Sequence, residues 1–293
     1  MVVLREVLAA RHIEKRFGAF VALDDVDFVL EEGEVCGLIG ENGAGKTTLL
    51  RVLLGLMKPT TGAVTRYTAK PYVGYMPQCC RFDGRLNVEL TIRFFSCIRK
   101  TSPEQSLALC GTLALERSKP VGMLSPGQQK KLQMILAMMG DPEMYVLDEP
   151  TAGLDPGAAR EMGEIIRDLK SRRKNVLISS HILQDMNDTC TEVAILSRGK
   201  LRCHERLASS YWIKTSPVSR LAMSELGDMF PVTANETGTV LHMRADDSKV
   251  PDLVRALVAR EVDVLEVSPG GIRNLVQDVL GWEGGVPHAA DAV

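Results

Sequence analysis

The chain has 293 residues, a formal net charge of −2 and a hydrophobic fraction of 45%. That length predicts one large domain and one small one. The near-neutral charge gives no basic footprint for nucleic acid, and no apolar run reaches the roughly 20 residues that a bilayer-spanning helix needs.

The first informative segment is Gly40–Thr48, which reads GENGAGKTT. It fits the pattern of a loop between a strand and a helix that cradles phosphate groups. The apolar run Glu34–Ile39 predicts the buried strand before it, and the stretch from Thr48 to Leu56 predicts the helix after it. Backbone N–H groups in such a loop, with the helix N-terminus, attract an anion. The predicted nucleotide-binding residues are Gly40, Asn42, Gly43, Ala44, Gly45, Lys46, Thr47 and Thr48.

Two residues of this loop have more specific expected roles. Lys46 should reach the β- and γ-phosphates, where it would also assist catalysis, and the hydroxyl of Thr47 should bind Mg²⁺.

A second strand is predicted at residues 143–147, and it ends at Asp148 and Glu149. Because ligands bind at the carboxyl ends of strands in open α/β sheets, these two carboxylates are expected beside the phosphate loop. Asp148 would hold Mg²⁺ directly or through water, and Glu149 would polarise the attacking water as a general base. Taken alone, the pair could be an acidic turn exposed to solvent, but the phosphate loop in the same chain disfavours that interpretation.

These motifs, with the sequence LSPGQ at Leu124–Gln128 between them, resemble those of the nucleotide-binding subunits of ABC (ATP-binding cassette) transporters. The resemblance covers about residues 4–215. It implies an α/β, P-loop NTPase-type nucleotide-binding domain with a helical arm at about residues 85–140. It also implies ATP and Mg²⁺ as cofactors.

The resemblance also implies roles for three residues outside the phosphate loop. Phe17 matches the aromatic residue that stacks on adenine, although an aromatic residue at a strand end is more often packing. Gln78 matches the glutamine that touches the metal and the water and links the site to the membrane partner. His181 matches the switch histidine at the γ-phosphate, and the predicted strand before it favours this role over that of an ordinary surface histidine.

Further matches concern a site built from two subunits. Ser125, Gly127 and Gln128 match the signature that binds the γ-phosphate held by the opposite subunit, and Asp155 in the sequence AGLD matches the loop that crosses the dimer interface. A helix predicted from Gln128 would make this signature a second anion site. One phosphate cannot sit in both sites of one monomer unless they face each other, so a C2 dimer enclosing two ATP molecules is expected.

One residue of the signature departs from the family pattern. Pro126 stands where the family usually has glycine, and it removes one backbone N–H. Proline nevertheless suits the first turn of a helix, so the sequence predicts a helix that begins near this position.

The C-terminal part predicts a small accessory α+β domain at residues 216–282 and a disordered tail at residues 283–293. The domain's alternating strand and helix patterns resemble the accessory domain of drug- and polyketide-exporter ATPase subunits. A family-specific extension that only packs or dimerises is the alternative.

The sequence therefore predicts the ATP-hydrolysing subunit of an ABC transporter, most consistent with an exporter. It would pair with a second copy of itself or a sister ATPase and drive an integral membrane permease. Seven cysteines without a metal or disulfide framework indicate a reducing cytosol, so we expect a cytoplasmic protein, peripheral on the inner face of the plasma membrane.

Two alternatives differ in class. The first is a soluble ABC ATPase that acts on ribosomes or DNA. A single cassette disfavours a ribosomal role, and the short segment between Lys46 and Asp148 leaves no room for the long coiled coil of DNA-repair members. The second is a regulatory subunit that binds ATP without turnover, which the intact Glu149, Gln78 and His181 disfavour.

Overall fold

The structure is a computed structural model. It describes residues 5–67, 72–180, 186, 189–207, 210–235, 237–244 and 249–269, together with residues 272, 275, 276 and 279. The chain divides into two compact units, Met1–Cys190 with Leu196–Arg202 and Thr191–Ile195 with Cys203–Val293. Within the described ranges, no helix is long and apolar enough to cross a membrane. His181 and the tail at 283–293, both of which carried sequence predictions, lie outside the described residues.

The described strands and helices are as follows. The strands are β1 (Glu6–Phe17), β2 (Phe20–Glu31), β3 (Val35–Ile39), β4 (Thr61–Arg66), β5 (Gly74–Met76), β6 (Met144–Asp148), β7 (Asn175–Ser180), β8 (Glu192–Ser197), β9 (Lys200–Arg206), β10 (Ser210–Thr215), β11 (Val232–Ala234), β12 (Val240–Arg244) and β13 (Val264–Pro269). The helices are α1 (Lys46–Leu53), α2 (Val88–Arg99), α3 (Glu104–Thr112), α4 (Pro126–Met138), α5 (Pro156–Ser171), α6 (Arg220–Met229) and α7 (Val250–Val258), with a 3₁₀ turn at Val121–Met123.

The sheet that positions the site has the strand order β5-β6-β7-β3-β8-β9. Its first four strands pair in parallel, and every residue of β3, β6 and β7 is buried. Burial on both faces explains their continuous apolar sequences. The last residue of β5 pairs with Leu147, Asp148 pairs with Ser179, and Ile39 pairs with Ser180. The carboxyl ends of these four strands therefore lie along one edge.

An antiparallel sheet in the order β2-β1-β4 belongs to the same unit. β1 and β2 form a hairpin through Gly18, whose φ of +59° is in the left-handed region that glycine adopts readily. Along β2, Leu23, Val26 and Phe28 are buried while the residues between them are more exposed. This pattern is typical of an antiparallel strand with one face on a core.

The helical arm consists of α2, α3, the 3₁₀ turn and α4, and it lies where the sequence predicted helical material. α2 begins after Asn87, whose side chain accepts a hydrogen bond from the backbone N of Leu90 at 2.8 Å. The buried core of the arm consists of Val88, Ile92, Leu107, Cys110, Leu113, Leu115, Val121, Leu124, Leu132, Ile135, Leu136 and Met139. This core fixes α4, and with it the signature at its N-terminus, against the other helices of the arm.

The second unit contains an antiparallel sheet in the order β11-β12-β10-β13 together with α6 and α7. Its core includes Ile213 on β10, Leu241 on β12 and Leu253 on α7, all fully buried. The sequence placed the domain boundary after residue 215, whereas the second unit comprises Thr191–Ile195 and Cys203–Val293. Residues 210–215 lie in the second unit because they form β10, which pairs with β12 and β13.

Candidate active site

The carboxyl edge of the parallel strands gathers residues that are distant in the sequence. The phosphate loop follows β3, Asp148 is the last residue of β6, and Gln78 lies two residues after β5 with an exposed side chain. Ser180 ends β7 at the same edge, next in sequence to His181. The sequence predicted three of these strand ends, those before the phosphate loop, at Asp148 and before His181, and the register confirms them for the described residues and adds β5.

The phosphate loop has a backbone that only glycine accommodates at key positions. Gly43 and Gly45 have φ values of +83° and +106°. A Cβ at Gly45 would lie 2.6 Å from the carbonyl oxygen of Ala22, and a Cβ at Gly40 would overlap a backbone carbonyl. The loop therefore curls into the N-terminus of α1, where its N–H groups can bind an anion.

The other predicted residues of the loop differ in exposure. Asn42 is exposed, Ala44 is buried, and Thr47 and Thr48 are half-buried in the first turn of α1. Ala44 accepts a hydrogen bond from the backbone N of Gly199 at 3.0 Å, which anchors the loop from behind.

Lys46 is the first residue of α1, and its ammonium group is buried among oxygen atoms. Nζ donates to the carbonyl oxygens of Gly40 at 2.6 Å and Glu41 at 3.1 Å, and it lies 3.6 Å from Oε1 of Glu149. Burial lowers the pKa of Lys46, and the nearby Glu149 carboxylate opposes that shift. The ammonium group therefore lies between the phosphate loop and the acidic strand end.

Asp148 is fully buried at the end of β6. Its Oδ1 accepts a hydrogen bond from the hydroxyl of Ser179 at 2.5 Å. Its Oδ2 is also buried and has no hydrogen-bond partner among the described residues. A buried carboxylate oxygen of this kind suits a cation such as Mg²⁺, which prefers oxygen ligands.

Glu149 follows Asp148 and is 5% exposed. Its φ of +52° is unusual for a residue other than glycine, and such strained backbone concentrates at functional sites. Its backbone N donates to the hydroxyl of Ser179 at 3.0 Å and to the carbonyl of Ser179 at 3.1 Å. These bonds hold the strained peptide, and Oε1 of the carboxylate lies 3.6 Å from Nζ of Lys46.

The signature begins α4. Ser125 is the N-cap: its Oγ accepts from the backbone N of Gln128 at 3.2 Å, and Oε1 of Gln128 accepts from the backbone N of Ser125 at 3.1 Å. Oε1 of Gln128 also accepts from Lys119 at 2.9 Å. The predicted tolerance of Pro126 is confirmed, because it lies in the first turn of the helix. Ser125 is exposed and Gly127 half-exposed, so the helix N-terminus remains accessible to an anion.

Two other predicted residues belong to elements outside the parallel strands. Asp155 is the N-cap of α5, and its Oδ1 accepts from the backbone N of Gly157 and of Ala158, both at 3.0 Å. Phe17 ends β1 and is 49% exposed, with Nζ of Lys15 5.1 Å from its ring centroid. An exposed ring at a strand end is available for stacking on a base.

Sequence reasoning missed two residues that contact the acidic strand end. Ser179 was read only as part of a strand, and the signal that could have revealed it is its place beside Asp148 in the parallel register. Lys130 was read only as part of a helix, yet its Nζ donates to the carbonyl oxygen of Glu149 at 2.6 Å. Lys130 stands in the polar run Gln128–Lys131 at the end of the signature, so its sequence neighbours gave no signal of its burial.

The parallel sheet, phosphate loop and acidic strand end define a P-loop NTPase of the α/β class. Residues 23–152 match the family described as ABC transporter. A relative, Nod factor export ATP-binding protein I of Burkholderia orbicola, is 35% identical over 206 residues, which cover 65% of this chain and 67% of the relative. The chain belongs to the ABC transporter ATP-binding proteins and is an ATPase of that family.

Two further similarities differ in how much of the chain they cover. The uncharacterized ABC transporter ATP-binding protein YhcH of Bacillus subtilis is 28% identical over 285 residues, which cover 90% of this chain and 92% of the relative. A solved structure described as the ATP-binding subunit of an ABC transporter is 27% identical with a TM-score of 0.62, and it covers 69% of this chain and 90% of its own. The YhcH match therefore extends through the second unit.

Proposed function

We propose that this chain is the ATP-hydrolysing subunit of an exporter, that it dimerises around two ATP molecules, and that it drives a separate membrane permease. The observation that carries the proposal is the buried cluster of Lys46, Asp148 and Glu149 beside the phosphate loop. These are the groups that phosphoryl transfer to water requires: a cation for the phosphates, a ligand for the metal and a base for the water.

Each residue of the cluster has one role. Lys46 exchanges its bonds to the carbonyls of Gly40 and Glu41 for bonds to the β- and γ-phosphate oxygens. Glu149 orients the attacking water and accepts its proton, and its buried position keeps the carboxylate in one orientation. Phe17 stacks on the adenine through its exposed ring.

Mg²⁺ would be held by Thr47, Gln78 and Asp148. Oδ2 of Asp148 supports this assignment, because it is buried without a hydrogen-bond partner in the described part of the chain and a divalent cation would satisfy it. When bound, Mg²⁺ neutralises charge on the phosphate oxygens.

The dimer follows from two accessible anion sites on one subunit. The phosphate loop lies at the N-terminus of α1, and Ser125 and Gly127 lie at the N-terminus of α4. In a C2 arrangement, each loop faces the partner's signature, and Asp155 lies at the interface. His181 senses the γ-phosphate in this proposal, on the basis of its sequence motif alone.

The permease is proposed to dock on α2. Leu90, Phe94 and Ile98 recur at every fourth residue of this helix and are 51%, 56% and 61% exposed. Side chains at this spacing share one helix face, so they form an apolar stripe. α2 follows Gln78 in the chain. A permease that places an apolar cytoplasmic segment on this stripe would therefore contact a helix that is close in sequence to a residue of the site. The subunit would then be peripheral at the cytoplasmic face of the membrane.

Export is the proposed direction. A relative with 35% identity carries the name Nod factor export ATP-binding protein I, and the second unit resembles the accessory domain of exporter subunits only at the level of its strand and helix pattern. The chemical class of the cargo would depend on the permease.

Hydrolysis and dimerisation are tested together with Glu149→Gln. We expect the rate of phosphate release to fall by about 10²-fold or more, while ATP shifts the variant from monomer to dimer in light scattering. Glu164→Gln makes the same chemical change on an exposed position of α5 and should leave both properties as in the wild type. A Glu149→Gln protein that hydrolyses ATP at the wild-type rate would remove the proposed base.

Docking is tested by affinity purification from detergent-solubilised membranes with the co-purifying proteins identified by mass spectrometry. The wild type should recover a polytopic membrane protein, and Phe94→Asp should lose it without losing ATP hydrolysis. Leu221→Asp places the same charge on another exposed apolar position and serves as the control. Recovery of ribosomes or DNA-bound proteins in place of a membrane protein would contradict the transporter role.

A further inference from the structure

Lys130 is a buried lysine that the roles assigned so far do not use. It lies in the second turn of α4 and is 8% exposed. Lysine is almost never fully buried unless it is paired, because removing an ammonium group from water is costly. A specific partner is therefore expected.

That partner is the main chain at the proposed base. Nζ of Lys130 donates to the carbonyl oxygen of Glu149 at 2.6 Å. A hydrogen bond from a charged donor is shorter and stronger than one between neutral groups. Glu149 has a φ of +52°, so the bond acts on a peptide whose conformation needs support from its surroundings.

The electrostatic surroundings agree with a structural use of this ammonium group. Burial lowers the pKa of Lys130, and electrostatic interactions with Cys79, Glu149 and Asp148 oppose that shift. Cys79 follows Gln78 in the sequence. Lys130 thus lies where the signature helix, the segment after β5 and the acidic strand end come together.

We propose that Lys130 is a positioning residue for hydrolysis, which fixes the Glu149 peptide to the signature helix α4. The proposal rests on the proposed role of Glu149 as the base. Ser125 at the head of α4 contacts the nucleotide of the opposite subunit in the proposed dimer, whereas Glu149 acts on this subunit's own nucleotide. Lys130 therefore couples the position of the signature in one ATP site to the orientation of the base in the other.

The test compares two neighbouring lysines that both bind backbone carbonyls. Lys130→Met removes the donor and keeps a side chain of similar length. Lys131→Met makes the same change one residue later, where Nζ donates to the carbonyl oxygen of Leu113 at 3.0 Å and pairs with Glu161 at 2.5 Å. For Lys130→Met we expect kcat to fall by about 10- to 100-fold with the Kd for ATP unchanged, because small displacements of a reacting group cost rate rather than affinity. For Lys131→Met we expect kcat within about twofold of the wild type.

A double-mutant cycle identifies the route of the effect. If Lys130 acts through Glu149, Lys130→Met should reduce kcat little further in a Glu149→Gln background. Additive losses would overturn the proposal, as would an unchanged kcat in Lys130→Met or an equal loss in Lys131→Met. A Glu149→Gln protein with the wild-type rate would instead show that the proposed base is wrong.

Lys130→Arg covers the case in which the methionine protein does not fold. It retains a charged donor, and we expect its kcat to lie within about threefold of the wild type, with Kd for ATP unchanged. A folded arginine variant as slow as Glu149→Gln would overturn the proposal.

Discussion

Ser179→Ala removes one hydroxyl that supports both acidic residues of the site. The hydroxyl donates to Oδ1 of Asp148 at 2.5 Å and accepts from the backbone N of Glu149 at 3.0 Å, and Ser179 is fully buried. The substitution would remove the hydroxyl donor of Oδ1, and Oδ2 of Asp148 has no hydrogen-bond partner among the described residues that could compensate. The Glu149 amide would keep the Ser179 carbonyl at 3.1 Å. A hydrogen bond to a charged group contributes about 1.5–3 kcal/mol, so we expect the free energy of unfolding to fall by about 2 kcal/mol.

Thermal unfolding without nucleotide or Mg²⁺ measures this loss. A decrease of about 2 kcal/mol corresponds to a Tm lower by about 4–8 °C for a folded unit of this size. Ser171→Ala is the matched control, because it removes an exposed hydroxyl that donates to the Asp168 carbonyl at 2.8 Å. Its Tm should differ from that of the wild type by less than about 2 °C. If both variants unfold at the same temperature, the Ser179 hydroxyl does not support the acidic strand end.

Three further predictions concern the loop, the second unit and pH. Gly45 has a φ of +106° and a backbone carbonyl close to where a Cβ would lie, so Gly45→Ala should abolish binding of a fluorescent ATP analogue. A Cβ at Gly43 would have no described atom within 4 Å, so Gly43→Ala should weaken binding less. Equal affinities of the two variants would contradict the role of the crowded position. Leu253→Ala removes a fully buried core side chain and should lower the free energy of unfolding of the second unit by about 2–5 kcal/mol in urea titrations, in contrast to exposed Leu265→Ala. Hydrogen bonding to Asp25 raises the pKa of His12 above 6.5, so its stabilising contribution is present below pH 6.5 and is lost as pH rises through the higher folded value. His12→Gln should therefore reduce the change in Tm between pH 5.5 and 8.5, and an unchanged difference would refute this account.

Motifs with fixed local backbone demands could be predicted from the sequence. The phosphate loop requires glycines with positive φ followed by a helix, and Gly43, Gly45 and α1 have that geometry. Pro126 was compatible with a helix start because proline suits the first turn of a helix, and α4 begins there. The buried strands β3 and β6 were also readable because both faces are covered and their sequences are continuously apolar.

The boundary between the two units could not be predicted as accurately from the sequence. Residues 210–215, which form β10, lie before the expected boundary, and nothing in their own sequence shows which sheet they join. The pairing of β10 with β12 and β13 depends on long-range hydrogen bonds, which is why residues 210–215 belong to the second unit although the expected boundary lay after them.

The sequence by itself determined the family motifs, the phosphate loop and the acidic residues that follow a strand, because each is encoded by adjacent residues. Only the tertiary structure decided that Ser179 and Lys130 support that acidic strand end. Their contacts join residues 31 positions apart across neighbouring strands and 19 positions apart between a helix and a strand end. Strand register and helix packing bring them together, and neither can be read from a local pattern.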